Sequence, residues 1–317
     1  MAKERRSLSG KVVAITGAAR GIGKATATAL IRKGCKVAIG DLDLALAEQT
    51  AAELGGGTIA LPLDVTDRGS LRAFLDETEK QLGPLDVLIN NAGIMPVTPF
   101  IEESEESIRR QVDINLLGVI AGTQMALERM RPRNTGHIVN IASSAGKAGV
   151  PGIATYSATK HAVVGLSEAV RAELRGTDTE VSCVMPVPVN TALMEGVSDQ
   201  RLVKRVEPED VANEIVDALE LRRFDVFVPR SMKFTVGAAS LLPRKAREAV
   251  ARFMGVDKIL TEVDRSGRRA YEDRAAHSRS VDAGPATESK PTNGKANATP
   301  EDDASESEAK AAQADAA

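Results

Sequence analysis

The sequence contains no tryptophan, two tyrosines and six phenylalanines among 317 residues. Aromatics make up 3% while apolar residues hold an ordinary 43%, so a core built from this chain has to be aliphatic. Cysteine is as scarce. Cys35 and Cys183 each sit in a short apolar run, CKVAIG and VSCVMP. That placement suits small buried residues rather than a disulfide, and a reducing cytoplasm is the expected setting. Of the three histidines, His137 opens a predicted strand, His161 sits on a predicted helix and His277 falls near the C-terminus. His137 is read as a strand-edge residue, His161 as structural and His277 as part of the tail, and no cluster of His, Cys or carboxylates has metal-site spacing. No apolar run approaches the length that spans a bilayer. The first ten residues, MAKERRSLSG, are charged and have no apolar h-region, so no signal peptide is expected. An excess of positive charge is missing too. A net charge of −3 and a pI near 5.8 argue against a nucleic-acid partner.

What is present is a rhythm. Short apolar runs at residues 11–15 (KVVAI), 36–40 (KVAIG), 58–63, 85–89, 137–141 (HIVNI), 181–185 and 224–228 (FDVFV) read as strands. Helical patterns fill the intervals: 22–33, 44–54, 70–81, 105–130, 156–175 and 207–221. The strands are apolar without alternation, as expected when both faces are covered, and the order predicts βαβ units around a parallel sheet. Glu102-Glu103-Ser104-Glu105-Glu106 reads as a solvated helix start.

Three places in this frame carry chemistry. Between the first strand and helix, TGAARGIG supplies Gly17, Arg20, Gly21, Ile22 and Gly23. Glycines there let the backbone turn tightly and approach a pyrophosphate, which a helix N-terminus attracts with unpaired N–H groups. The spacing is GxxxGxG, not the general GxGxxG of dinucleotide sites. After the second strand stands Asp41, where a carboxylate can accept from ribose hydroxyls and repel a 2′-phosphate, favouring NAD over NADP. Arg20 could instead pair with such a phosphate. Asp64-Val65 and Asn90-Asn91-Ala92-Gly93 follow the third and fourth strands, where a doubly wound sheet presents loops to a ligand.

The third place is residues 143–160, SSAGKAGVPGIATYSATK. Tyr156 and Lys160 stand four apart and share a face if a helix runs through them. An ammonium beside a phenol favours the phenolate and is expected to lower the tyrosine pKa from its free value of roughly 10, giving a proton donor and acceptor usable near neutrality. Ser143 lies across a loop with Gly146, Gly149 and Gly152 that could fold back toward both.

Taken together and in order, TGAARGIG, NNAG, Asn115, Ser143, Tyr156 and Lys160 resemble the short-chain dehydrogenase/reductase family over residues 8–229. The resemblance implies a single Rossmann-like α/β domain, residues 1–230, with a seven-stranded parallel sheet, assembled as a homodimer or homotetramer. It implies hydride transfer between a nicotinamide cofactor and a secondary alcohol or ketone, with a small molecule as substrate. It assigns Tyr156 as general acid/base and Lys160 as the partner that binds the nicotinamide ribose and lowers the Tyr156 pKa. Ser143 would hydrogen-bond the reacting oxygen, Asn115 would hold a relay water, and Val189 and Thr191 would contact the nicotinamide. Val187 stands where the family usually has glycine, so the loop after the sixth strand is expected to differ. Residues 192–206 would form a variable substrate lid.

Past Pro229 the composition changes. Residues 231–274 are read as a basic, amphipathic helical extension, and from Ala275 the chain has almost no large apolar residue and is expected to be disordered. EPEDVANEIVDAL, FDVFVPR and SLLPRKAREAVARFMG are similar to the retinol- and hydroxysteroid-dehydrogenase branch, which works on lipophilic alcohols at membranes. That similarity implies a lipophilic substrate and peripheral membrane contact through residues 231–270, against the alternative of helices packed on the protein itself. A rival function is a catalytically silent dinucleotide-binding regulator or scaffold of the same fold.

Overall fold

The computed structural model describes residues 5–197, 204–253 and 263–276. All lie within one compact unit, residues 1–283. Residues 277–317, nearly all of the stretch expected to be disordered, lie outside the described residues.

Seven strands form one parallel sheet: β1 (Val12–Thr16), β2 (Lys36–Asp41), β3 (Ile59–Pro62), β4 (Val87–Asn90), β5 (Gly136–Ile141), β6 (Thr179–Pro186) and β7 (Asp225–Val228). Their order is β3-β2-β1-β4-β5-β6-β7. The direction of winding therefore reverses between β1 and β4, and the crevice at the carboxyl ends of those strands is where such sheets receive ligands. The connecting helices are α1 (Gly21–Arg32), α2 (Leu44–Leu54), α3 (Arg68–Leu82), α4 (Glu105–Val112), α5 (Gly118–Met130), α6 (Ala154–Glu173) and α7 (Pro208–Leu221). Short α8 (Met232–Ser240), α9 (Arg244–Phe253) and α10 (Arg265–Ala276) follow β7.

The period of two along each strand sorts the aliphatic side chains into two cores. Val13, Ile15, Val37, Ile39, Ile89 and Val139 face α1 and α7, packing with Leu30, Ile215 and Leu219. Ala14, Ala38, Leu88 and Ile138 face α3 and α5, packing with Leu71, Phe74, Met125 and Met130. Asp43, Asp67 and Ser104 cap α2, α3 and α4 by accepting main-chain N–H groups, and α7 opens on a Glu207–Asp210 capping box with Pro208 in its first turn.

The single helix expected over residues 105–130 is interrupted. A π-helical turn, Asp113–Leu117, joins α4 to α5 and carries Asn115 inward to full burial. Val187 opens the loop after β6. Its backbone has no positive φ, and its N–H donates to the Val228 carbonyl at 2.9 Å, prolonging the sheet pairing. A β-branched residue fits there because no positive φ is required. At the C-terminal side, helical packing continues to Ala276, and Ala275, the expected start of the tail, is buried.

Candidate functional site

A cleft of about 1510 Å³ opens along the carboxyl ends of the strands, and the residues given a catalytic or coenzyme-binding role from the sequence all line it except Gly23 and Asn115, which contact lining residues from behind. One end is built on the glycine turn. Gly17 adopts φ +64°, and a side chain there would lie 2.7 Å from the Cα of Ala92; one at Gly23 would lie 2.6 Å from the Cα of Ala18. Only glycine permits this compact turn. Asn91 braces it, its amide donating to the carbonyls of Thr16 and Gly17 at 2.9 and 2.8 Å, while Thr16 Oγ1 accepts from the N–H groups of Asn91 and Ala92. The turn delivers the N-terminus of α1 to the cleft with no side-chain cap and no acid in its first turn. Unpaired N–H groups and the positive end of the helix dipole face the cleft, which fits the diphosphate of a dinucleotide.

Asp41 ends β2 beside this turn. Its carboxylate accepts from Ala19 N at 3.0 Å and Asp43 N at 3.2 Å, and still lines the cleft. Arg20 is held by Asp43 at 2.9 Å. Asp64 secures the turn after β3 by accepting from the main-chain N–H and hydroxyl of Thr66. Val65 packs toward Ile114 from the same turn. Thr191 lies over Gly21, which brings the loop after β6, with Val189, against the glycine turn.

The other end holds Ser143, Tyr156 and Lys160 together. Ser143 is extended at the end of β5 and caps a short 3₁₀ turn, accepting from Ala145 N at 3.1 Å. Gly146 then lies against the α6 backbone, where a side chain would meet the Lys160 carbonyl at 2.7 Å. That close approach folds the loop back and sets the serine beside the tyrosine. Ser144, its neighbour, also lines the cleft. Tyr156 and Lys160 share one face of α6, with the ammonium 5.6 Å from the ring centroid.

The electrostatics differ from the expectation. Burial pushes the Tyr156 phenol up to about 12, and a hydrogen bond with Ser143 pulls only partly the other way. Burial lowers the Lys160 ammonium to about 8. Lys160 Nζ donates to the Ile141 carbonyl at 2.8 Å, so its charge is directed at the end of β5. In the protein alone, both groups are held toward their neutral forms because each has lost its water. Asn115 is also committed: Oδ1 accepts from Ile94 N and Nδ2 donates to Ile94 O, both at 2.8 Å. Its amide fixes the loop after β4, one glycine away from Lys160.

Residues outside these motifs also shape the cleft. Met232 and Val236 from α8, Arg247 from α9, and Tyr271 and Ala275 from α10 line it. Sequence spacing held no sign of this, since each comes from the extension after β7. The two described histidines stay apart from the chemistry, and His277 lies outside the described residues. His137 is fully buried in β5, bonded to Ser182 and Arg6, with its pKa driven well below the ordinary value by burial. His161 sits at the exposed rim, bonded to the Ser157 carbonyl. Both cysteines are buried free thiols, pushed up to about 11 and 12 by burial. Among the described residues no group of His, Cys, Asp and Glu could hold a metal ion, and no helix is long and apolar enough to cross a membrane.

Comparison with known proteins agrees with this geometry. The family model for short chain dehydrogenases matches residues 11–202. The chain is 30% identical over 260 residues to 17-beta-hydroxysteroid dehydrogenase 13 of Rattus norvegicus, covering 80% of this chain and 86% of that one. It is 38% identical over 191 residues to sorbitol dehydrogenase of Cereibacter sphaeroides, covering 60% and 75%. A crystal structure of a short chain dehydrogenase/reductase from Burkholderia phymatum in complex with NAD superimposes with a TM-score of 0.67 at 28% identity, covering 73% of this chain and 93% of that one. The chain thus belongs to the short-chain dehydrogenase family, and is an NAD(P)-dependent oxidoreductase that acts on alcohol and carbonyl groups of small molecules.

Proposed function

We propose that the protein is an NAD-preferring dehydrogenase or reductase of a lipophilic secondary alcohol or ketone, with Tyr156 as general acid/base. The observation that carries this reading is the convergence of Ser143, Tyr156 and Lys160 at one end of a cleft whose other end is an uncapped helix N-terminus. A bound nicotinamide supplies the hydride acceptor or donor. Gly17, Gly21, Ile22 and Gly23 hold the diphosphate, Asp41 the adenosine ribose, and Ala92, Gly93, Val189 and Thr191 the nicotinamide half. Ser143 orients the substrate oxygen and Tyr156 exchanges a proton with it. Lys160 holds the nicotinamide ribose and favours the phenolate once that oxygen is engaged. With the Asn115 amide spent on Ile94, a relay water at this residue would be met by its main chain.

The preference for NAD rests on charge. Asp41 and Asp43 both line the cleft beside the glycine turn and would repel a 2′-phosphate there, and Asp43 already pairs with Arg20. Asp41→Ala is expected to erode the NAD-over-NADP ratio of kcat/KM by about tenfold, the repulsion between a half-buried carboxylate and a phosphate being worth about 1.4 kcal/mol. An unmoved ratio would leave Asp41 as a brace for Ala19 only.

A lipophilic substrate fits the walls near Tyr156, where Met95, Ile153, Met194 and Val197 form an apolar cluster, and it fits the resemblance to 17-beta-hydroxysteroid dehydrogenase 13. Turnover of steroids, retinoids and aliphatic secondary alcohols with NAD and NADP tests the reading directly. It fails if a coenzyme-binding preparation turns over only small polyols. The cytoplasmic setting and a homodimer or homotetramer belong to the same proposal. So does peripheral membrane contact, for which the supporting feature is Phe234, Leu241 and Leu242, exposed beside Lys233, Arg244 and Lys245. Flotation with anionic vesicles should carry the wild type upward and leave Phe234→Ser/Leu241→Ser/Leu242→Ser behind. Equal behaviour of the two would remove membrane contact from the account.

A further inference from the structure

The extension after β7 does more than follow the domain. The Arg268 side chain, on α10, is almost wholly enclosed, at 2% exposure, although it is a cation. Its guanidinium donates to four acceptors from three parts of the chain. Nε donates to Glu272 on its own helix at 2.6 Å. Nη1 donates to the carbonyls of Leu193 and Glu195 at 3.0 and 2.9 Å, and Nη2 to the carbonyl of Met95. The loop after β4 and the loop after β6 are therefore tied to one another through α10. Burying a guanidinium is costly unless its donors are paired, and here the pairing is with carbonyls that also need a donor.

A second contact is equally specific. Gly196, at φ +68°, touches the first turn of α10 so closely that a side chain would lie 2.5 Å from the Asp264 carbonyl and 2.9 Å from the Arg268 Cβ. Asp264 N donates to the Gly196 carbonyl at 2.8 Å. Tyr271, one turn on, accepts from Met95 N at 2.7 Å, and its ring stacks 4.6 Å from the Arg268 guanidinium. Tyr271 and Ala275 then pack in one cluster with Ile94, Ile114, Val65 and Leu193. The helix thus lies along the loops after β4 and β6, with Arg274 paired to Glu195 and with Tyr271, Arg274 and Ala275 lining the cleft.

We propose that α10 is a strap across the coenzyme cleft and that Arg268 is the positioning residue that fastens it, so that the dinucleotide leaves only when this clamp opens. The inference rests on the proposed coenzyme site and adds to it a residue that controls exit. It requires no change at Tyr156 or at the glycine turn.

The experiment uses the full chain and NADH as probe. NADH dissociation is followed by displacement in a stopped-flow instrument for wild type, Arg268→Ala, Arg268→Lys and Gly196→Ala. Tryptic cleavage within α10, at exposed Arg269 and Arg274, is timed for each with and without NADH. Dissociation should be about tenfold or more faster in Arg268→Ala, matching the loss of charged hydrogen bonds, and intermediate in Arg268→Lys. Gly196→Ala, which undocks the helix without touching the guanidinium, should reproduce the alanine result. NADH should slow cleavage of α10 in wild type. A folded Arg268→Ala protein that releases NADH at the wild-type rate, or cleavage indifferent to NADH, overturns the strap while leaving the coenzyme site intact. Wild type that fails to bind NADH at all overturns the coenzyme reading, and the strap with it.

Discussion

Replacing Tyr156 by Phe is expected to lower kcat by about 10²–10⁴-fold, the span ordinarily supplied by one positioned proton donor and acceptor, while NADH binds as in wild type. The separation follows from where the phenol sits. It lies at the opposite end of the cleft from the glycine turn, and its hydroxyl is engaged with Ser143 and not with any residue of that turn. Phenylalanine keeps the ring in its apolar cluster with Met95, Ile153 and Met194, so stability should hold. Single-turnover kinetics and NADH fluorescence on the same sample check both halves. Retained turnover would refute the role, and lost NADH binding would mean the ring shapes the coenzyme site instead.

Lys160→Met is expected to do two opposite things. Turnover should fall by about 10²–10³-fold, as when a preorganised donor is taken from a reacting centre. Stability should rise. The folded protein depresses the ammonium from its ordinary 10.5 to about 8 by burial, which corresponds to a cost on the order of 3 kcal/mol for keeping that charge inside at neutral pH. Methionine removes the cost and leaves the Ile141 carbonyl without this donor, worth about 1 kcal/mol, for a net gain of about 2 kcal/mol. The sign also fixes a pH dependence. Below pH about 8 the folded and unfolded states both carry the proton, and the full penalty is present. Between about 8 and 10.5 the unfolded chain binds more protons, so wild-type stability rises with pH. The advantage of Lys160→Met in denaturant titrations should therefore shrink steadily from pH 8 to pH 10. A lysine destabilising in the fold yet needed for turnover is what a functional constraint looks like when set against stability. A variant that is both inactive and less stable at pH 7 would mean the ammonium is structurally favourable.

Much of this was legible because the relevant signals are local. Strands covered on both faces are aliphatic along their whole length, so all seven could be placed to within about two residues from runs such as KVVAI and FDVFV. Ligand-facing loops sit at strand ends by topology, so TGAARGIG, Asp41, NNAG and residues 143–160 were found by position as much as by composition. Three features were not legible, and each depends on distant parts of the chain. The π turn at Asp113–Leu117 interrupts a sequence whose apolar period continues unbroken, and only the inward pull of Asn115 on Ile94 reveals it. Proximity of Tyr156 and Lys160 suggested a lowered phenol pKa, whereas enclosure on every side raised it, and enclosure is a property of the packed molecule. The docking of α10 joins Arg268 and Tyr271 to Met95, more than 170 residues earlier, through main-chain atoms that carry no residue-type signal.

In this mechanism the Tyr156 phenol answers to charge brought into the cleft beside it. The chain lacks tryptophan and has only one other tyrosine, so in Tyr271→Phe protein the near-ultraviolet absorbance of tyrosinate reports Tyr156 alone. Titrated without coenzyme, that phenol should ionise near 12. With saturating NAD⁺, whose nicotinamide ring is a cation, the midpoint should fall by about 1–3 units. A midpoint that stays where it was, in protein shown by tritiated or fluorescent coenzyme to be fully loaded, would contradict the account.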